Sequence, residues 1–323
     1  MPTNILKMTN YQLNPSQSPE IEDGIKKHAT IALVGAPNAG KSTLTNLLIG
    51  QKLAITSPKP QTTRNAIKGI LIHNNCQLVI IDTPGIFIPR QEKILERVIV
   101  KSAWQALRSA DYIGFIIDST HGMTNQILSL INDLKKENIP IIAILNKIDA
   151  VKKPKLLEMI AQLSKIEIEN IRMISALNND GVDDLKEFFC SQASNQGWQF
   201  DEEQITDAPM KFIACEITRE KLFLKLNQEL PYSLTVKNDS YQIMENGHIK
   251  IHQTIFVQKE SQKKIILGKN GKLIKQIGFD SRQEIAKIAG SVIHLYLFIK
   301  VKEDWMNNIA SYEIIDIDNI PKQ

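Results

Sequence analysis

The sequence predicts an α/β fold with a mostly parallel sheet, followed by a smaller α+β domain. From Lys27 onward, short apolar runs of strand length alternate with stretches of helical periodicity, which is typical of a parallel sheet covered by helices on both faces. Beyond residue 207 the order changes to helix, two strands, two helices and a strand. The 323 residues, 43% of them hydrophobic, suffice for a core in each domain.

Polar stretches in the sequence indicate where the domains begin and end. The first 26 residues are rich in Asn, Pro, Gln and Ser, which predicts a flexible arm, and a second polar stretch follows Cys190. We therefore predict an arm at 1–26, the α/β domain at 27–190, a linker at 191–207, the smaller domain at 208–303 and a C-terminal tail at 304–323.

Charge and cysteine content limit the class of protein. The net charge is +4, but residues 210–302 carry +8 and the rest of the chain −4, so the smaller domain favours phosphate backbones. Cys76, Cys190 and Cys215 are widely spaced, which indicates neither a disulfide framework nor a zinc site. No apolar run approaches the ~20 residues that span a bilayer, and no signal peptide is recognisable. We expect a soluble cytoplasmic protein.

The elements of the α/β domain determine where its motifs should lie. Ligands in this architecture bind at the carboxyl ends of strands, so functional residues should follow the apolar runs directly. Strands are predicted near 29–34, 66–73, 77–82, 112–118, 140–145 and 170–174, and helices near 41–50, 92–108, 124–137, 154–165 and 181–190.

The first motif is the glycine-bounded loop Gly35-Ala36-Pro37-Asn38-Ala39-Gly40-Lys41-Ser42, between a strand and a helix. Such a loop turns backbone N–H groups toward a polyphosphate, and the helix N-terminus adds positive potential. Lys41 would bridge the β- and γ-phosphates, and Ser42 would bind Mg²⁺. The alternative is a strand-to-helix turn without a ligand.

The second motif, Asp82-Thr83-Pro84-Gly85, follows the next buried strand. Asp82 could hold Mg²⁺ through a water molecule, and the Gly85 N–H could contact the γ-phosphate. The same four residues also favour an ordinary turn. Between the two motifs lies the polar segment Pro60–Arg64, where Thr63, in preference to Thr62, could complete Mg²⁺ coordination when the γ-phosphate is present.

The third motif, Asn146-Lys147-Ile148-Asp149, specifies a base. The Asp149 carboxylate can accept from N1–H and the N2 amine of guanine, whereas adenine would leave it unpaired at a cost of ~1–3 kcal/mol or more. Asn146 would brace the loop and approach N7, and the Lys147 stem would lie across the ring. After the next strand, Ser175 and Ala176 offer N–H groups to guanine O6.

Together these motifs, in this order, resemble a GTPase of the translation-factor class. GTP/GDP and Mg²⁺ are the implied ligands. Ile86 follows Gly85 where Ras-like switches carry glutamine, so we expect slow basal hydrolysis that needs a helper; Asn38 either binds K⁺ for this purpose or only stabilises the loop. The predicted catalytic residues are Lys41, Thr63 and Gly85, the metal ligands Ser42, Thr63 and Asp82, and the nucleotide-binding residues Gly35, Asn38, Ala39, Gly40, Lys41, Ser42, Thr43, Asp82, Asn146, Lys147, Asp149, Ser175 and Ala176.

The smaller domain carries a Gly-x-x-Gly loop, Gly268-Lys269-Asn270-Gly271. Such a loop between two helices allows close approach of a nucleic-acid backbone, as in K-homology (KH) domains, although alone it is more often a plain turn. We predict that the RNA-binding residues are Lys263, Lys264, Gly268, Lys269, Asn270, Gly271, Lys272 and Lys275. The predicted elements are a helix at 208–227 capped by Thr206 or Asp207, strands at 232–239 and 248–258, helices at 262–267 and 271–287, and a strand at 292–300.

Residues from about 27 to 303 resemble the bacterial Era family of GTPases. Besides the motifs above, the resemblance is carried by Gln61–Arg64, Thr218–Leu222, Glu229–Ser233, Gln262–Lys264, Ile274–Gly278 and His294-Leu295. The resemblance implies a P-loop GTPase domain followed by a type II KH domain, binding to the 3′ end region of small-subunit rRNA, and assistance in assembly of the 30S ribosomal subunit and rRNA maturation. It implies a monomer, with peripheral association at the inner membrane face in some members.

An alternative function remains open at the level of the sequence. The chain could be a membrane-associated regulatory GTPase whose basic domain meets anionic lipid or a protein. Glycines in the Gly-x-x-Gly loop favour RNA, because attraction to lipid requires charge but not that loop geometry. His248 and His252 have the spacing of metal ligands on a helix, yet they fall in a strand pattern, which favours a solvated or packing role.

Overall fold

The computed structural model describes most of the chain in two compact units. The predicted arm and tail lie largely outside the described residues, and so do Pro60, Gln61 and residues 87–93. The described residues are 25–57, 59, 62–86, 94–227 and 229–307, with the backbone of 5–7. Of these, 25–86 and 99–207 form the N-terminal unit, and 208–307 form the C-terminal unit together with 5–7 and 94–98.

The predicted α/β domain contains every strand and helix expected, each within two residues of its predicted bounds. A short strand that was not predicted, β1 (Ile5–Lys7), precedes this domain. The strands of the domain are β2 (Lys27–Gly35), β3 (Ile67–His73), β4 (Cys76–Asp82), β5 (Tyr112–Asp118), β6 (Ile141–Asn146) and β7 (Ile171–Met173). The helices are α1 (Lys41–Ile49), α2 (Ile94–Arg108), α3 (Asn125–Lys135), α4 (Lys153–Lys165) and α5 (Val182–Ser191). A further strand, β8 (Gln204–Pro209), follows.

The sheet of the N-terminal unit is mostly parallel, which confirms the predicted fold class. Its strand order is β8-β3-β4-β2-β5-β6-β7, and the five strands from β4 to β7 in that order run parallel. β3 is antiparallel to β4 because only Asn74 and Asn75 connect the two, too few residues for a parallel crossover. The carboxyl ends of β2, β4, β5 and β6 therefore meet at one edge of the sheet.

Two hydrophobic clusters cover the two faces of this sheet. Leu33 belongs to one cluster and the next residue, Val34, belongs to the other, and Ile144 and Leu145 are divided in the same way. Helices α1 and α5 contribute to the first cluster, and α3 and α4 contribute to the second. Alternate side chains of each buried strand thus face opposite helical layers, which explains why these strands are apolar throughout.

The segment predicted to be a linker packs on the N-terminal unit. The buried Gln77 side chain accepts hydrogen bonds from the N–H groups of Gln199 and Phe200 and donates one to the Phe200 carbonyl. Trp198 Nε1 donates to the Asn75 carbonyl. Residues 198–200 thus provide hydrogen-bond partners for Asn75 and Gln77 at the turn end of the β3–β4 hairpin, so this polar segment has a structural function.

The C-terminal unit has the predicted helix-strand-strand-helix-helix-strand order of a type II KH domain. Its strands form the order β11-β10-β9, with β10 parallel to β11 and antiparallel to β9. Phe223, Ile255, Ile266 and Ile277 belong to the core between sheet and helices. The elements are α6 (Met210–Lys225), β9 (Thr235–Ile243), β10 (Ile249–Val257), α7 (Glu260–Leu267), α8 (Lys272–Ala289) and β11 (Ile293–Val301).

Three details differ from the sequence predictions. Helix α6 begins after Pro209 without a side-chain cap, because Thr206 Oγ1 donates to the Lys68 carbonyl and Asp207 forms an ion pair with Lys68; the predicted caps are wrong. Strand β9 is shifted by three to four residues because Pro231–Ser233 form a 3-10 turn. Trp305, in the predicted tail, is fully buried, and its Nε1 donates to the Ser233 carbonyl.

Candidate functional site

The glycine-bounded loop leaves no room for side chains at its ends. Gly40 has φ 104°, and a Cβ added there would lie 2.2 Å from Asn146 Nδ2. A Cβ on Gly35 would lie 2.3 Å from the Ile116 carbonyl oxygen. Asn38 also has positive φ, at 63°. The loop is thereby held against the ends of β5 and β6 in the conformation that a phosphate-binding loop requires.

Lys41 is a buried cation directed into this loop. Its side chain is 6% exposed, and Nζ donates to the carbonyl oxygens of Gly35 at 3.1 Å and Ala36 at 2.9 Å. Burial lowers the pKa of Lys41 to about 8, although the charge of Asp82 opposes the shift. A buried ammonium that is disfavoured by desolvation gains from an anionic ligand, which is consistent with a polyphosphate site.

The three predicted metal ligands converge. Ser42 Oγ donates to Asp82 Oδ2 at 2.7 Å and lies 2.9 Å from Thr63 Oγ1, which is 3.4 Å from the same carboxylate oxygen. Thr62 Oγ1 instead donates to the Lys59 carbonyl, so this structure brings Thr63 rather than Thr62 to the cluster.

The environment of Asp82 shows that these residues fit a cation. It is fully buried, and its Oδ1 has no hydrogen-bond partner in the described part of the chain. Burial raises the pKa of Asp82 to about 6, against the hydrogen bond from Ser42 and the charge of Lys41. A buried carboxylate oxygen without a partner, next to two hydroxyl groups, provides the hard oxygen donors that Mg²⁺ prefers.

Gly85 lies against the same loop. A Cβ added to Gly85 would meet the Pro37 ring and backbone nitrogen at 3.2 Å. Ile86, which stands where Ras-like switches carry glutamine, is partly buried against the second hydrophobic cluster. The position after Gly85 therefore contributes an apolar contact and has no group to orient a water molecule.

Asn146 connects the phosphate loop to the base-binding segments. Its side-chain Nδ2 donates to the Ala39 carbonyl at 2.8 Å, and its Oδ1 accepts from the N–H groups of Lys147 at 2.8 Å and Ala176 at 3.0 Å. The side chain is 2% exposed. Two of these three hydrogen bonds, to Ala39 and Ala176, join segments that are distant in sequence, as the predicted bracing function requires.

The predicted contacts to guanine O6 are engaged within the protein. Ser175 N–H donates to the Asp180 carbonyl, and Ala176 N–H donates to Asn146. A contact from either group to O6 would require exchange of these bonds. Asp149 is exposed in the 3-10 turn Ile148–Ala150, with its carboxylate available to a ligand, and Thr43 is exposed in the first turn of α1.

Asp118 is a site residue that the sequence analysis missed. Lys147 has φ 63°, and its Nζ donates to Asp118 Oδ2 at 2.6 Å. Burial alone would raise the pKa of Asp118, but hydrogen bonds from Lys147 and Thr120 lower it below its usual value. Asp118 ends β5 at the same sheet edge as the motifs, a position that could have indicated its involvement.

The Gly-x-x-Gly loop of the C-terminal unit forms a tight turn between α7 and α8. Gly268, Asn270 and Gly271 all have positive φ, and a Cβ on Gly268 would lie 2.7 Å from Leu273 Cβ. A Cβ on Gly271 would have open space. Of the predicted lysines, Lys263 is half-buried near Glu260, and four are exposed around the loop: Lys264, Lys269, Lys272 and Lys275.

Side chains behind this loop are structural. Ile266 and Ile277 are fully buried, so they belong to the core and not to a base groove. Gln262 Oε1 accepts from the N–H groups of Gln258 and Lys259, and its Nε2 donates to Ser233 Oγ at 2.9 Å. Gln262 thus fixes the start of the helix that leads into the loop.

Within the described residues, no helix is both long and apolar enough to cross a membrane.

Comparisons with known proteins agree with both units. The family described as 50S ribosome-binding GTPase matches residues 30–147, and the KH domain family matches residues 229–306. GTPase Era of Afipia carboxidovorans is 41% identical over 310 residues, covering 96% of this chain and 100% of the relative. GTPase Era of Agrobacterium fabrum is 44% identical over 299 residues, covering 92% and 93%.

Two solved structures are similar over nearly their full length. One is Era in complex with MgGDPNP and nucleotides 1506–1542 of 16S ribosomal RNA, with TM-score 0.86, 35% identity, and coverage of 90% of this chain and 98% of the other. The second is a point variant of Aquifex aeolicus Era bound to GDP and AlF4⁻, with TM-score 0.86, 35% identity, and coverage of 90% and 99%. With these identities over nearly the whole length of its relatives, the chain belongs to the Era family of GTPases.

Proposed function

We propose that this chain hydrolyses GTP to GDP and phosphate and binds, through its KH unit, the 3′ region of 16S rRNA to assist assembly of the 30S subunit and rRNA maturation. The observation that carries the GTPase part is the convergence of Ser42 and Thr63 on a buried carboxylate, Asp82, whose Oδ1 lacks a partner among the described residues. The rRNA part is supported by the RNA-bound Era structure and by the glycine loop with its exposed lysines.

The chain's own residues would perform four tasks in hydrolysis. Loop N–H groups and Lys41 hold the β- and γ-phosphates, and Asp149 accepts hydrogen bonds from guanine. Ser42, Thr63 and Asp82 would hold Mg²⁺, which when bound neutralises charge on the phosphate oxygens. Gly85 would donate its N–H to the γ-phosphate.

Basal turnover would be slow because Ile86 cannot orient the attacking water. We propose that a cation or an activator supplies this function. Asn38 is exposed at positive φ in the phosphate loop, where a K⁺ ion could bind beside the phosphates. Equal turnover in sodium and potassium buffers would exclude K⁺ as the helper.

The Lys147–Asp118 ion pair positions the base-binding segment before the base arrives. The pair would hold the Lys147 stem at the edge of the guanine site, and Asn146 holds the phosphate loop against the same segment. Less ordering is therefore needed when the nucleotide binds, which favours affinity.

Asp149→Asn tests the base specificity. The amide cannot accept from both N1–H and N2 of guanine, but it can donate to O2 of xanthine, so we expect GTP affinity to fall about 100-fold and xanthosine triphosphate affinity to rise. The control is Asp183→Asn, an exposed carboxylate on α5. Equal affinities in wild type and Asp149→Asn would show that Asp149 does not contact the base.

Gly271→Asp tests the RNA site. A Cβ at this position meets nothing within 4 Å, so the change mainly introduces a carboxylate where the RNA backbone would approach. Gly247→Asp is a matched control, because Gly247 also has positive φ and open space, in the turn between β9 and β10. We expect affinity for a fragment of the 16S rRNA 3′ end to fall tenfold or more in Gly271→Asp only, with GTP affinity unchanged.

The same RNA titration, repeated with a non-hydrolysable GTP analogue and with GDP, measures how the bound nucleotide changes the affinity for RNA.

We propose that the chain acts as a cytoplasmic monomer, which sedimentation at micromolar concentration would check. Binding to anionic vesicles with no selectivity among RNA sequences would instead support a membrane-associated regulatory GTPase.

A further inference from the structure

The sheet of the KH unit has one face turned toward its helices and one face turned away from them. Ile255, Val257, Leu297 and Ile299 point toward the helices and belong to the core. Because side chains alternate along a strand, their neighbours point to the other side. We call this side the outer sheet face and define it by Lys237, Lys250, His252, Tyr296, Phe298 and Lys300.

Strand register brings these residues together. Lys250 lies opposite His294, and His252 lies opposite Tyr296 in the parallel β10–β11 pair. One row further, Phe298 lies opposite Thr254, which itself lies opposite Lys237 of β9. Aromatic and basic residues thus lie in the same row and in neighbouring rows of one surface.

The aromatic rings form a stack that remains open to solvent. His252 and Tyr296 have ring centroids 4.9 Å apart at an interplanar angle of 23°, and His252 and Phe298 lie 6.2 Å apart at 25°. Tyr296 is 46% exposed and Phe298 is 52% exposed. Both belong to β11, an edge strand of the sheet, so their faces away from His252 are not covered by a neighbouring strand.

The charge on this face is positive. Lys250 Nζ lies 5.7 Å from the Tyr296 ring centroid, Lys237 lies in the row of Phe298, and Lys300 follows Phe298 by two residues on β11. Asp239 is the one carboxylate within β9, β10 and β11, and it accepts a hydrogen bond from Thr254 Oγ1 at 2.6 Å. An apolar partner would use only the rings and an acidic partner only the lysines, whereas RNA would use both, because nucleobases stack on rings and phosphates attract lysines.

We propose that the outer sheet face is a second RNA-binding surface, on which unpaired bases stack against Tyr296 and Phe298 while lysines contact the phosphates. It is distinct from the Gly-x-x-Gly loop, which joins the two helices packed on the opposite face of the sheet. The inference rests on the proposed RNA-binding function, and it adds a surface for RNA beyond the segment held at the loop.

The test uses the full chain with Tyr296→Leu and Phe298→Leu combined. Leucine keeps apolar area at both positions and removes the stacking surface. Because stacking on one ring contributes strongly to single-strand affinity, we expect affinity for a 16S rRNA 3′ fragment of about 35 nucleotides to fall tenfold or more. Phe279→Leu is the control, since Phe279 is an exposed ring, at 46%, on α8 rather than on the sheet.

Two further measurements separate the possible outcomes. Ultraviolet cross-linking of the wild-type complex should attach RNA to a peptide containing Tyr296, and circular dichroism should show that the double variant folds. Unchanged affinity in the folded double variant, while Gly271→Asp still weakens binding, would overturn this inference alone. No RNA binding by the wild type would contradict the proposed function itself, and ring-dependent binding of anionic vesicles or of a ribosomal protein without RNA would overturn the assignment of RNA to this face.

Discussion

The nucleotide site and the RNA loop both depend on glycines and lysines, yet they are built in opposite ways. At the nucleotide site, Lys41 and Asp82 are buried, and the backbone around Gly40 is pressed against Asn146. At the Gly-x-x-Gly loop the lysines are exposed, and Gly271 faces open space. The first site is assembled by internal contacts, whereas the second offers charge and backbone to a large flexible polyanion.

The difference in burial determines how each site discriminates between ligands. Buried charges that are held by hydrogen bonds have a fixed geometry, so one small ligand fits and others leave charges unpaired. Exposed lysines have many conformations and favour any phosphate backbone, so selectivity at the loop must come from its shape and from neighbouring base contacts.

The greatest loss of GTP affinity is expected from a change at Gly40, a glycine of the nucleotide site. Gly40→Ala would place a Cβ 2.2 Å from Asn146 Nδ2 and force a strained φ of 104°. Backbone strain of about 1–2 kcal/mol and loss of the Asn146 hydrogen bonds together should weaken GTP binding about 1,000-fold. Titration with a fluorescent GTP analogue measures this.

Two alanine variants provide controls for steric contact. Gly50→Ala and Gly271→Ala also introduce Cβ atoms at positive φ, but nothing lies within 4 Å of either. We expect both to fold with GTP affinity within a few-fold of wild type, because only strain is added. A similar loss in Gly50→Ala would show that contact with Asn146 is not the cause at Gly40.

A smaller effect is expected on the pH dependence of folding stability, through the buried carboxylate of Asp82. The pKa of Asp82 is raised to about 6 from an ordinary 3.8, so between these values the folded state keeps a proton that the unfolded state has lost. The free energy of unfolding of the nucleotide-free protein should therefore fall as pH rises through this window, by about 2–3 kcal/mol in total. Urea unfolding at pH 4 to 7 should show this slope in wild type and not in Asp82→Asn.

Lys41 acts in a separate pH window. Its pKa is lowered to about 8 from 10.5, so the unfolded state binds the proton more strongly and stability should rise with pH between these values. The two windows do not overlap. Burial lowers the pKa of His28 from 6.5, so His28 contributes a slope of the opposite sign within the Asp82 window, and the Asp82 effect is measured as the difference between wild type and Asp82→Asn. An identical pH slope in Asp82→Asn and wild type would mean that Asp82 is not the group responsible.

The smallest expected effect is on salt dependence. Each phosphate contact of single-stranded RNA contributes a slope of about −0.7 in log K against log salt concentration, so Lys269→Gln should reduce the slope by about that amount. Lys287→Gln, an exposed lysine near the far end of α8, is the control. GTP binding at the buried site should depend less on salt than RNA binding does.

Much of the fold and the site was predictable because their determinants are local. Apolar runs and helical periodicity gave nearly all element bounds in both units, and the glycine loop, Asp82 and Asn146 follow strands whose ends meet by topology. Two features could not be predicted, since they depend on long-range contacts. Trp305 follows the last strand in a polar context, yet it is buried and donates to the Ser233 carbonyl within the same unit. The pairing of Asp118 with Lys147 requires β5 and β6 to be in register.

Predicted caps for helix α6 failed for a related reason. Thr206 and Asp207 have the side chains that usually cap helices, but both interact with Lys68 on the neighbouring strand β3. A capping preference is worth about 1 kcal/mol, which a strand pairing and its side-chain contacts can override.

The three hydrogen bonds of Asn146 imply a narrow mutational tolerance at that position. Aspartate is isosteric but has no hydrogen to give to the Ala39 carbonyl, and it would set a negative charge against that oxygen. Glutamine is longer by one methylene in a position that is 2% exposed, and serine is too short to reach three backbone groups at once. Substitution of Asn146 should therefore lower both folding stability and nucleotide affinity, whereas substitution of the exposed Asp149 should lower nucleotide affinity alone.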